Sequence, residues 1–242
     1  MRLANKIKYA IREKIPPHKR YFWFLLKRKI FGYGNKTYAQ YGEDLILREI
    51  FQCRTEGFYV DIGAFHPKLI SNTYFFYKLG WNGINIDATP GSMNLFKRMR
   101  KKDINLECAV SDITTELTFY TYDSPSLNTF SPELVKKRIQ EGQSHPKLEK
   151  TITTSSLAKI LDKNVPEGKK INILSIDVEG MDLKVLQSNN WGKYVPQTII
   201  TEKQDGFNPL SPADDSIVAF LKKKDYSLFA ITPGNLLFAK NK

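Results

Sequence analysis

The sequence predicts one doubly wound α/β domain built on a mainly parallel sheet, and three observations carry that expectation. Short apolar, β-branched runs alternate with amphipathic helical patterns from residue 38 onward, the order of a parallel sheet covered on both faces. The chain of 242 residues is 41% hydrophobic and 26% charged, ordinary for one large core. The final apolar runs are joined by Pro-Gly-Asn, which predicts a closing hairpin and an antiparallel edge.

Taken in order, QYGEDLILREIF places Leu45, Ile46, Ile50 and Phe51 on one face of a short helix. GFYVDIGA (57–64) is a strand ending in glycine, and SNTYFFYKLG a helix with Ser71 or Asn72 offered as its cap. GINIDA (83–88) is the second strand, GSMNLFKRMRKK the second sheet helix and INLECAVS (104–111) the third strand. ELTFYTY (116–122) alternates as a half-exposed strand, and SPELVKKRIQEG reads as a helix. INILSIDV (171–178) is a fourth core strand, followed by a helix through Leu186, and PQTIITE (196–202) is a fifth. The helix PADDSIVAFLKKKD and the hairpin YSLFAIT-PGN-LLFAK complete the chain.

The net charge of +12 is uneven. Residues 1–37 hold eleven Lys or Arg against Glu13 alone, whereas the remainder is nearly neutral, with 26 basic against 24 acidic residues. Two domains follow: a basic, aromatic extension (1–37) and a body (38–242). A neutral body argues against nucleic acid as a partner. HKRYFWFLLKRKIFGYG interleaves cations with aromatics, which suits peripheral contact with an anionic membrane face or packing against protein. No apolar run approaches the roughly 20 residues of a spanning helix. Cys53 and Cys108 form no motif, which fits a reducing compartment and a cytoplasmic location.

Acids recur where the strands end: Asp61, Asp87, Asp112, Asp177 with Glu179, and Glu202. In doubly wound sheets, ligands bind beyond these carboxyl ends. The first loop, YVDIGAFHPKLISNT, has Phe65 and Pro67 where a dinucleotide fingerprint needs glycine amides for pyrophosphate. Asp87 stands at the second strand's end, where an acid can bind both ribose hydroxyls. A ribose-bearing ligand without pyrophosphate, such as S-adenosylmethionine, fits both facts.

QYGEDLIL, FYVDIGAFHP, SNTYFFYKLGWNGINIDATPGS, INLECAVSD, LNTFS and LSIDVEGMDLKVLQS resemble the FkbM-type S-adenosylmethionine-dependent methyltransferases over roughly residues 38–205. The resemblance implies a class I, Rossmann-like methyltransferase sheet and O-methylation of a sugar hydroxyl, on a surface polysaccharide or its precursor. It also implies cofactor roles: Asp61 and Gly63 in the first motif, Asp87 on the ribose, and Ser111 with Asp112 near the adenine. Gln40 and Glu43 would close over the methionine end, with Ser71 and Asn72 adding polar contacts. Phe65-His66-Pro67 departs from the glycines that many methyltransferases carry there.

Strand alternation would put Asp177 and Glu179 on one side, with Glu202 at the neighbouring strand's end. A hydroxyl is a poor nucleophile, so a carboxylate that takes its proton helps by about 10² to 10⁴-fold. Asp177, Glu179 and Glu202 could instead hold a divalent metal such as Mg²⁺, and His66 could act as the base. Helix capping and loop bracing by these residues stay open beside catalysis, and Asp182 suits the helix dipole. A non-catalytic scaffold on the same fold and an NAD-dependent sugar oxidoreductase are the alternative functions.

Overall fold

The computed structural model describes residues 35–52, 54–203 and 206–241. The basic extension up to Gly34 and Cys53 lie outside the described residues. From Thr37 onward the chain forms one compact unit.

The elements run α1 (Glu43–Phe51), β1 (Phe58–Ile62), α2 (Tyr74–Leu79), β2 (Asn82–Asp87), α3 (Met93–Met99) and β3 (Ile104–Glu107). An excursion follows: β4 (Ala109–Val110), β5 (Glu116–Thr121), α4 (Pro132–Gln140) and β6 (Leu148–Ser155). The chain then returns through α5 (Leu157–Asn164), β7 (Ile173–Ile176), α6 (Asp182–Gln187), β8 (Thr198–Glu202), α7 (Ser216–Lys222), β9 (Tyr226–Ile231) and β10 (Asn235–Lys240).

Seven strands form the main sheet in the order β3-β2-β1-β7-β8-β10-β9. The pairs among β3, β2, β1, β7 and β8 are parallel, and β10 runs antiparallel to both β8 and β9. The hairpin thus enters with its second strand innermost. The chain leaves β1 toward β2 and β3, then returns on β1's other side as β7, so the switch point lies between the carboxyl ends of β1 and β7.

Burial on both faces explains the continuous apolar strands. Val60, Ile62, Ile84, Ile86, Leu174 and Ile176 pack against Leu157, Val185, Ile217 and Leu221 on one side. One residue out of phase, Tyr59, Ile173 and Ile200 pack with Leu47, Phe51, Phe76 and Trp81 on the other. Side-chain caps start three helices: Ser131 accepts from Leu134 N–H, Ser156 from Lys159 N–H, and Asp215 from the amides of Ile217 and Val218.

Three expectations are corrected. The stretch 104–111 is not one strand: it breaks at Cys108, and β4 leaves the main sheet to pair with β6. A second sheet, β4-β6-β5, is built on the excursion. Finally, the residue at the N-cap position of α2 is Thr73, whose side chain makes no capping hydrogen bond; Ser71 Oγ, two residues earlier, accepts from Tyr74 N–H at 3.1 Å.

Candidate active site

The register brings the site together. Asp177 N–H donates to Ile62 O at 2.9 Å, and Gly63 N–H to Ile86 O at 2.9 Å, so the ends of β1, β2 and β7 are one hydrogen-bonded unit. Gly63 has φ +75°, and a Cβ there would lie 1.7 Å from the Asp177 carbonyl oxygen. Only glycine permits that approach.

Above this unit lies a cavity of about 330 Å³, within the usual range for small-ligand sites. One wall is Gln40, Tyr41, Gly63, Phe65 and Ile70; the floor includes Asp87, Cys108 and Val110. Phe119, the turn Pro125–Asn128 and Phe130 arrive from the excursion, and Asp177, Glu179, Glu202 and Asn235 close the far end. Phe65 and Ile70 hold positive φ angles of 42° and 52°. Such backbone is costly for non-glycine residues and tends to occur at functional loops. Asp87 holds the first in place: one carboxylate oxygen accepts from Phe65 N–H at 3.1 Å and the other from Thr89 N–H at 2.7 Å. Burial pushes the Cys108 thiol up to about 11, which keeps it an uncharged wall residue.

Of the residues expected at the cofactor, Gln40, Gly63 and Asp87 line this cavity. Asp61, Glu43, Ser71, Asn72, Ser111 and Asp112 do not. Asp61 falls on the Tyr59 side of β1, where Thr73 Oγ1 donates to it at 2.7 Å. Burial raises its carboxyl, offset by Thr73 and Arg100. Ser71 accepts from Arg100 at 2.9 Å, and Asn72 donates to Ser175 Oγ at 3.2 Å. Glu43 is fully buried and clasps the hairpin: Thr232 Oγ1 and Asn235 Nδ2 each donate to it at 2.7 Å, and Tyr41 N–H at 3.0 Å. It therefore sets two cavity-wall residues without facing the cavity. Ser111 Oγ donates to Asp112 at 2.9 Å, directly after the wall that Cys108 and Val110 supply. His66 is likewise outside the cavity wall; its Nδ1 accepts from the amides of Lys68 and Leu69 at 3.0 and 2.9 Å. That geometry braces a loop.

Asp177, Glu179 and Glu202 do converge: each offers a carboxylate oxygen within 4.8 Å of the others. Strand alternation is not the reason, because β7 ends at Ile176. A turn brings Glu179 round, with φ 51° there and 89° at Gly180, and Thr129 Oγ1 holds the Glu179 carbonyl at 2.7 Å. Asp182 joins the two strand ends from behind, accepting from Glu202 N–H at 3.1 Å and Val178 N–H at 3.4 Å.

Arg138 joins the site although no motif marks it. It extends from α4 to donate to Glu179 at 2.5 Å and to Leu127 O at 2.6 Å, binding the roof of the cavity to the acid cluster. It is the cluster's compensating cation among the described residues. The other carboxyls are left to share protons. Burial first, then the charges of Asp182 and Glu179, hold Asp177 well above the usual carboxylate range. Burial, then Asp177, Glu179 and Asp182, pushes Glu202 up to about 9. Burial pushes Asp182 up to about 7, with the backbone amides of Glu202 and Val178 opposing. No described group hydrogen-bonds the carboxylates of Asp177 or Glu202. Two unpartnered acids thus face a cavity at the switch point.

No curated protein matches the chain significantly. Among solved structures, a TehB-like SAM-dependent methyltransferase from Corynebacterium glutamicum is 9% identical with TM-score 0.38, covering 93% of this chain and 100% of that one. A type 11 methyltransferase candidate from Sulfolobus solfataricus is 13% identical with TM-score 0.40, covering 85% and 95%. The methyltransferase FkbM domain matches residues 61–228, most of the chain, from the end of β1 to the start of β9. With its strand order, its switch-point cavity and that match, the chain belongs to the FkbM family of S-adenosylmethionine-dependent methyltransferases.

Proposed function

We infer that the protein is an O-methyltransferase acting on a sugar hydroxyl of a surface polysaccharide or its precursor. The observation that carries this reading is the pair of unpartnered carboxyls, Asp177 and Glu202, at the end of the cavity. S-adenosylmethionine supplies a methyl carbon on a positively charged sulfur. Gly63, Asp87, Cys108 and Val110 offer the cofactor wall, and the acids favour the cationic end. An acceptor hydroxyl beside Glu202 loses its proton to that carboxylate as the oxygen–carbon bond forms and the carbon–sulfur bond breaks. Holding the hydroxyl in line is worth roughly 7–11 kcal/mol in well-oriented systems.

The three clustered oxygens also fit a hard cation such as Mg²⁺ in donor type. Arg138 already occupies Glu179, so an ion there would displace a guanidinium. Turnover unchanged after exhaustive EDTA treatment would sink the metal reading. Among the described residues no helix is long and apolar enough to cross a membrane. The basic extension supports cytoplasmic work docked at the inner membrane face. Co-sedimentation with anionic liposomes, with and without residues 1–37, tests that; equal pelleting ends it. For the function itself, native glycans are compared by mass spectrometry with and without the enzyme. The expected result is a gain of one methylene mass on a hexose unit, and identical glycan pools would refute it.

A further inference from the structure

A second cavity, of about 480 Å³, adjoins the acid cluster. It lies between α4 and the ends of β7 and β8, and it shares Glu179 and Glu202 with the cofactor cavity. We propose that it is the acceptor site, and that it takes a hydroxylated acceptor bearing an anionic group, a carboxylate or a phosphate. This rests on the methyltransferase reading above.

The geometry argues first. A displacement at a sulfonium methyl needs the attacking oxygen opposite the sulfur, so donor and acceptor must meet across one boundary. Glu179 and Glu202 are that boundary, the two acids that both cavities touch. Asp87 lines the first cavity and not the second, whereas Glu202 lines both.

The lining argues next. Apart from Leu134 and Gly180, the walls are polar: Lys137, Arg138, Glu141, Gln143 and Lys203 beside the two shared acids. The described lining has no aromatic ring for a sugar face, so recognition falls to charge and hydrogen bonds. Of the cations, Arg138 is committed to Glu179 and to Leu127 O. Lys137 Nζ stands 3.8 Å from Glu141 across an exposed helical pair. Lys203 is fixed by its backbone, its N–H donating to Gly234 O at 2.7 Å. Its ammonium has no carboxylate within ion-pair distance among the described residues. An anionic acceptor supplies that missing partner through charge-assisted hydrogen bonds, while its hydroxyl meets Glu202.

The test uses the full-length protein saturated with S-adenosylhomocysteine, titrated calorimetrically with glucuronate, glucose 1-phosphate and glucose. The expected result is that at least one anionic sugar binds about tenfold or more tightly than glucose. The carboxylate and phosphate arms separate the two chemistries. Lys203→Gln should abolish most of that preference and Lys137→Gln part of it, both with unchanged affinity for S-adenosylhomocysteine. Glucose binding as well as the anions, no anion binding at millimolar concentration, or a preference that survives both substitutions overturns the proposal. Absence of S-adenosylhomocysteine binding would instead overturn the methyltransferase reading, and this inference with it.

Discussion

Two arginines, each among carboxyl groups, divide the molecule into a part built to stay still and a part left unfinished. Arg100 is fully buried. Its Nε donates to Pro67 O at 2.7 Å, and its terminal nitrogens to Tyr59, Ser71 and Thr73 at 2.9, 2.9 and 3.1 Å. Asp103 stands 3.5 Å away and is itself held by Tyr59, Gly83 and Asn85. Each nitrogen of the Arg100 guanidinium has a partner. Arg138 satisfies one acid of its cluster and leaves Asp177 and Glu202 bare toward the cavities. A closed network fixes the loop 63–72; an open one waits for ligands.

The comparison breaks first at Arg100. Arg100→Met leaves the buried Asp103 without its neighbouring cation and should cost about 3–5 kcal/mol of stability, read by chemical denaturation. An unchanged midpoint would show that the network is not structural. On the open side the reverse holds. Glu202→Gln should lower kcat by about 10² to 10⁴-fold, with S-adenosylhomocysteine affinity retained and the melting temperature equal or higher. A collapse of stability there would erase the distinction between the two regions.

Acidity sharpens the contrast further. Asp182 and Glu202 have folded-state values of about 7 and about 9, above their ordinary 3.8 and 4.5. The folded state therefore holds extra protons. The stabilisation they confer is complete below pH 4 and is lost as pH rises through about 7 and then about 9. Thermal stability should decline over that window, and Glu202→Gln should flatten its upper part. Turnover should climb over the same window as Glu202 becomes able to accept a proton, so parallel slopes would contradict its role. The smallest effect is expected for Arg138→Lys, which keeps the charge and loses the fork. Turnover should fall about fivefold to tenfold, with the fold intact by circular dichroism.

Much of this was legible beforehand. Continuous apolar runs such as FYVDI and ILSI announced buried parallel strands, and the acids at their ends marked the cavity edge. LEKTITTS carries little strand signal because β6 is mostly exposed and lacks an apolar face. Asp61 looked like a cofactor ligand because only the phase of β1 assigns it to the other face. Glu179 reached its place by a left-handed turn that no period encodes. Arg138 and Arg100 sit in stretches rich in lysine and arginine, where an ordinary solvated face is the natural reading; only tertiary contacts single them out. Ser71 illustrates the same ambiguity, since a hydroxyl near a helix start serves a cap, a ligand or a buried arginine equally well.

The excursion between β4 and α5 roofs the first compartment with Phe119, Pro125–Asn128 and Phe130, and walls the second with Leu134 to Gln143. One inserted piece of chain therefore governs two recognitions at once. Drift toward a new glycan cannot be free: variants of this piece selected for a different acceptor should also shift KM for the methyl donor. Independent movement of the two constants would mean that the shared roof transmits nothing between its tenants.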